Sequence, residues 1–159
     1  MILCGIDPGK QGALALLEGP KLLNFSKMPL SHDQKTVDFA AVCRLLNDFK
    51  PDHIYLERAV AFSQGVTGAF NYGKGVAAIE IAIQLSAIPC TQVMPAKWTK
   101  FIHQGIKADL EPKVKSAIAL ERLRPKFKDL IPKGPRSGKY HDGILDALLI
   151  ALYGQHQLT

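Results

Sequence analysis

The stretch from Ile2 to Leu17 constrains the fold more than any other part of this chain. A short apolar run (Ile2, Leu3, Cys4, Ile6) leads into Asp7, then Pro8-Gly9, and a second apolar run opens at Ala13. Pro and Gly supply turn geometry between two runs of strand length, and Gly12 reopens the second, so the segment reads as a β-hairpin. The turn places Asp7 at the end of a buried strand. A carboxylate there is costly to desolvate unless a cation or hydrogen bonds compensate it. Taken alone, Asp-Pro-Gly also reads as a turn whose Asp bonds its own backbone.

Residues 21–27 read as a third strand, completing an antiparallel meander. Residues 31–49 carry an apolar face at helical spacing, ended by Lys50-Pro51. Residues 53–56 (HIYL) form a short buried strand that terminates in Glu57. Residues 58–75 are rich in Gly and polar residues; the first part reads as a mobile loop and the second feeds an apolar helix over 76–87. A strand follows at 90–94, a helix at 95–102 containing the only Trp, and an amphipathic helix at 111–123. Residues 124–140, with three Pro and two Gly among basic residues, read as a loop. A final helix spans 141–153. The order β-β-β-α-β-α-β-α-α-α predicts an α/β fold, a mixed sheet with helices on its faces. There is no internal repeat and no linker, so the expectation is one domain over residues 1–159.

The net charge is +6, but Lys97 to Lys139 alone carries twelve bases against four acids, a balance of +8, and the remainder is −2. A one-sided basic segment is the electrostatic footprint of a nucleic-acid binder, and also describes a solvated Lys-rich surface. No run approaches the ~18 apolar residues of a membrane span, and the N-terminus lacks a signal pattern, so the expected location is the cytosol, with no membrane partner. Cys4, Cys43 and Cys90 lack CxxC spacing and read as reduced core residues.

Acids recur at the ends of apolar elements: Asp7, Glu57, and the pair Asp142 and Asp146 opening the last helix. Four residues apart, the pair shares one helical face, where like charges repel. The helix dipole accounts for Asp142, but not for Asp146 among apolar neighbours. A metal accounts for both. Hard oxygen ligands without Cys suit Mg²⁺, with Mn²⁺ as a substitute. Two such ions ~4 Å apart activate a water and stabilise the leaving oxygen in phosphodiester hydrolysis.

GIDPG after the first strand, YLERA after the fourth and HDGILDALLIALYG at the end resemble the RNase H-like superfamily. More narrowly they resemble RuvC-type Holliday-junction resolvases, particularly phage-type members, and FNYGKG and MPAKWTK add to the likeness. The resemblance runs over nearly the whole chain. It implies a five-stranded mixed sheet, three strands antiparallel and then parallel, with helices on both faces. It also implies that Asp7, Glu57, Asp142 and Asp146 hold two Mg²⁺, and that a homodimer makes paired cuts in a four-way junction. Recombination or replication machinery would then be further partners.

The chain departs from that pattern twice. The last two acids of bacterial resolvases are three residues apart, whereas here the three-apart position is Gly143. His141 becomes either a reserve ligand or an exposed pre-helix residue. The aromatic wedge three residues after the glutamate is replaced by Val60, with Phe62 the nearest substitute or else a core anchor. Lys113 lies where relatives carry a catalytic lysine, which would stabilise charge on the scissile phosphate; a solvated helix Lys is the alternative. Lys97, Lys100, Lys107, Lys133 and Arg136 read as DNA contacts, and Trp98 as core. A sugar-kinase-type ATPase would need a second phosphate hairpin and about twice the length. The remaining alternatives are a nuclease for flaps or forks and a catalytically silent branched-DNA-binding module.

Overall fold

The computed structural model describes residues 1–58, 60, 65–134 and 140–158. Five strands form one sheet in the order β3-β2-β1-β4-β5. The strands β1 (Ile2–Asp7), β2 (Ala13–Glu18) and β3 (Lys21–Lys27) make the antiparallel meander, while β4 (His53–Glu57) and β5 (Cys90–Val93) continue from β1 in parallel. The helices are α1 (Phe39–Phe49), α2 (Gly65–Ser86), α3 (Pro95–Ile102), α4 (Pro112–Leu123) and α5 (Asp142–Gln157), with a 3₁₀ turn at Pro125–Phe127.

Alternation along the strands divides the interior into two layers. Leu3, Ala13, Ala15, Leu17 and Tyr55 point to the side covered by α5, with α3 and α4 beyond it. Cys4, Ile6, Leu14, Leu16, Ile54 and Leu56 point the other way, onto Val42 and Leu46 of α1 and Ile79, Ala82 and Ile83 of α2. The helix α5 is buried along almost its whole length, which explains why its apolar residues leave so little polar face.

Three helix boundaries differ from the sequence reading. Residues 31–38 are not helical: Ser31 Oγ donates to Asp33 Oδ1 (2.6 Å), and Thr36 N and Oγ1 donate to Ser31 Oγ. These side chains compete with helical bonding, and α1 starts only after Asp38, which caps Ala41 N at 3.0 Å. Conversely, α2 begins at Gly65, inside the expected loop. Its glycines weaken intrinsic propensity, but its C-terminal half is anchored by Gly75, Val76, Ile79, Ala82 and Ile83, and extension of a formed helix needs no new nucleus. The last helix runs to Gln157, with Gly154 buried against the Tyr55 ring. Among the cysteines Cys4 is buried, Cys43 half-buried and Cys90 exposed on the edge strand, so Cys90 is not a core residue.

Candidate active site

The parallel register pairs Ile6 with Leu56, so Asp7 and Glu57 follow side by side at the carboxyl ends of β1 and β4. Each lies two residues beyond one that faces α5 (Gly5 and Tyr55), and so shares that face. Packing of α5 across β1 and β2 brings Asp142, in its first turn, and Asp146, one turn later, to the same end of the sheet. The structure thus gathers all four sequence-predicted acids. Asp7, Asp142 and Asp146 line one cavity of about 200 Å³ together with Gln11, Lys113, His141 and Gly143.

Burial and mutual repulsion dominate the electrostatics. Burial, then the charges of Asp146, Glu57 and Asp142, push Asp7 well above the usual carboxylate range, opposed by Lys113. Burial, then Glu57 and Asp142, raise Asp146 to about 7. Burial also raises Glu57, partly offset by the hydrogen bond from Trp98. A divalent cation would relieve this repulsion, and the donors are all hard oxygens, so the residues fit Mg²⁺ or Mn²⁺. Among the described residues no three His, Cys, Asp or Glu side chains stand close enough, as placed, to hold one ion. The carboxylates therefore share a field without forming a closed cage.

Lys113 reaches from α4 to Asp142 Oδ2 in an ion pair, and is not simply solvated. His141 is buried, contrary to an exposed pre-helix position: it caps α5, its Nδ1 accepting from Ile144 N at 3.4 Å, while its ring lines the acidic cavity. Gly143 explains the unusual acid spacing. A Cβ there would lie 2.1 Å from the Gln11 carbonyl oxygen and 2.7 Å from Gly12, so no carboxylate can stand three residues before Asp146. Four residues is the spacing that this close helix–turn contact permits.

The DNA-contact candidates are more dispersed. Lys97 is exposed in the first turn of α3, which starts at the carboxyl end of β5 and hence at the same sheet end as Glu57. Lys100 is exposed in the last turn of α3, and Lys107 is exposed in the turn before α4. Lys133 is exposed next to Pro132, whose carbonyl accepts from His141 N at 2.8 Å, tying this segment to the start of α5. Phe62 and Arg136 lie outside the described residues.

Two further residues belong to the site. Trp98 is core, as expected, but its indole Nε1–H also donates to Glu57 Oε2 at 2.6 Å. The signal was present in the sequence as a lone Trp one turn after a strand, but nothing there linked it to an acid 41 residues earlier. Tyr72 on α2 is near enough to Asp7 and Glu57 that their charges raise its phenol, after burial, above its ordinary value. It lies ahead of the helix expected at 76–87, and nothing local in the sequence aims it at the acids.

No family model and no curated protein matches the sequence. Solved structures do match. Thermus thermophilus RuvC in complex with Holliday junction substrate is 20% identical over 99% of this chain and 95% of that one, with a TM-score of 0.67. The Fowlpox virus resolvase in complex with substrate Holliday junction DNA is 16% identical over 99% of both chains, with a TM-score of 0.60. The yeast mitochondrial Holliday junction resolvase is 16% identical over 98% of this chain and 79% of that one, with a TM-score of 0.63. The chain has the RNase H-like fold of the RuvC-type Holliday junction resolvases.

Proposed function

We propose that this protein is a divalent-metal-dependent endonuclease that resolves four-way DNA junctions by paired phosphodiester hydrolysis. The observation that carries this reading is the meeting of Asp7, Glu57, Asp142 and Asp146 at the carboxyl ends of the central strands. Clustered acids that raise the proton affinity of Asp7 and Asp146 are a poor solution for stability and a good one for holding cations. Asp7, Glu57, Asp142 and Asp146 would hold two Mg²⁺, with Mn²⁺ as a substitute. When bound, such ions activate water and neutralise charge on the scissile phosphate.

The chain's own groups have distinct tasks. The Trp98 indole fixes the Glu57 carboxylate in orientation. Lys113 neutralises Asp142 until substrate arrives, and its ammonium is then placed to stabilise the phosphate's developing charge. Lys97, Lys100, Lys107, Lys133 and Arg136 supply backbone contacts that orient DNA without reading sequence.

A second copy of the chain completes the reading. Val66, Phe70, Ile81 and Leu85 are all exposed and fall on one face of α2, opposite its buried seam. An apolar stripe of that length on an isolated helix face supports a homodimer through α2, which gives two equivalent sites for symmetric cuts.

The test is cleavage of labelled four-way junction, flap, fork and linear duplex, with and without Mg²⁺. Paired, symmetric, Mg²⁺-dependent nicks in the junction are expected. Preferential cleavage of flaps or forks would replace the substrate assignment, and metal-dependent binding without cleavage would make this a silent branched-DNA module.

A further inference from the structure

The strand register places Lys27 in line with the acids. Across β3, β2 and β1 it pairs Lys27 with Ala13 and Ala13 with Asp7, and Glu57 follows on β4. Directly opposed residues share one face of a sheet, and Phe25, two residues before Lys27, packs on the α5 side. Lys27 therefore stands on the same face, and at the same end, as the acids. We propose, resting on the junction-nuclease reading above, that the Lys27 ammonium holds the phosphate next to the scissile one and so positions the cleaved strand over the acids.

The surroundings of Lys27 support this role. Two strand spacings, about 10 Å, separate its backbone from that of Asp7. Between the two, the start of α5 comes down on the β1–β2 turn, with Gly143 against Gly12. His141 caps that helix and lines the acidic cavity, and burial, then the charge of Lys27, lower its proton affinity. The Lys27 ammonium thus lies just outside the cavity on its His141 side, while Lys113 pairs with Asp142. Lys27 is exposed and, among the described residues, makes no ion pair, which leaves its charge to an incoming anion. A scissile phosphate at the acids has its neighbour one nucleotide away, a separation that this register and the flexible four-carbon stem of a lysine together span. A lysine on an edge strand also blunts the edge against pairing with other chains. Lys21 supplies the contrast: it is exposed on the same strand, but pairs with Glu18 at the far end of the sheet. Edge protection asks the same of both lysines, whereas phosphate binding beside the acids asks it of Lys27 alone.

The experiment uses junctions with one neutral methylphosphonate walked across the linkages flanking the cut. For the native protein, kcat/KM should fall about tenfold when one linkage adjacent to the cut is neutral. Lys27→Ala should lower kcat/KM on the intact junction by a similar factor, through KM, and lose nothing further at that linkage. Its salt slope for junction binding should shrink by about one. Lys27→Arg should restore cleavage and the sensitivity to the neutral linkage, and Lys21→Ala should behave as the native protein does. Additive losses from the neutral linkage and Lys27→Ala, or equal effects of Lys21→Ala and Lys27→Ala, would overturn the contact. If the native protein cleaves the junction indifferently to both adjacent linkages, the contact falls and the nuclease reading stands. If no branched DNA is cleaved, the nuclease reading falls, and affinity for the same junctions in EDTA decides the contact. One neutral linkage that weakens binding of the native protein but not of Lys27→Ala then supports it, and the lack of any such linkage overturns it.

Discussion

Replacing Asp146 by Asn should stabilise the metal-free protein at pH 8. Asp146 is a half-buried carboxyl whose proton affinity rises from an ordinary 3.8 to about 7, through burial and then the charges of Glu57 and Asp142. The folded state therefore binds this proton more tightly than the unfolded chain does. Below the unfolded value both states are protonated and nothing is lost. As pH rises toward 7 the unfolded chain ionises first, and the native state loses stability until its own group ionises. The full elevation corresponds to a ceiling of about 4 kcal/mol at 1.36 kcal/mol per pH decade. Solvent reaching the half-exposed carboxylate screens this to about 2–3 kcal/mol. Asn keeps the shape and removes the charge. In EDTA at pH 8 the variant should thus melt about 5–10 °C above the native chain, with the gap narrowing as pH falls below 7 and closing only near pH 4. Saturating Mg²⁺ should raise the native protein toward the variant, because the ion relieves the same repulsion. Thermal denaturation across pH 4–8, with and without Mg²⁺, measures all of this. A variant no more stable than native at pH 8, or a gap that does not depend on pH, would refute the reasoning.

Three other substitutions probe separate parts of the account. Trp98→Phe removes the donor to Glu57, a hydrogen bond to a charged group worth about 1.5–3 kcal/mol, so the Mg²⁺ concentration for half-maximal cleavage should rise about tenfold or more; rescue by no amount of Mg²⁺ would instead signal a collapsed core. Gly143→Ala places a Cβ against the Gln11 carbonyl oxygen and should cost at least 3 kcal/mol in urea denaturation, whereas a neutral result would mean that α5 does not sit so close to the β1–β2 turn. Leu85→Glu combined with Ile81→Glu puts charge on the exposed stripe of α2 and should shift sedimentation equilibrium at micromolar concentration to the 17.4 kDa monomer; a native protein already monomeric there, with paired cleavage intact, would leave assembly on DNA as the route.

Much of this was legible in the sequence because the signals were local. Turn residues at Pro8-Gly9 and the alternation of β1 to β3 required only neighbouring residues, and the three strands stand where the pattern puts them. The four acids were readable because an acid that ends a buried element is conspicuous. What escaped was set by distant contacts. The helical state of Gly65 to Lys74 depends on packing of the later half of α2 against α1, which overrides glycine's low propensity. The role of Trp98 depends on a partner in another strand, and the four-residue acid spacing on the Gln11 carbonyl. His141 looked exposed because a residue before a helix usually is, and only the fold shows the cavity it closes.

The central claim is that the four carboxylates are a catalytic centre and not an accident of packing, and Asp7 tests it most directly. Asp7→Asn removes an acid that lines the acidic cavity while easing repulsion of DNA phosphates. Junction cleavage by this variant at saturating Mg²⁺ should fall below detection, with junction affinity in EDTA equal to or tighter than that of the native protein. Cleavage near the native rate, with binding unchanged, would contradict the account.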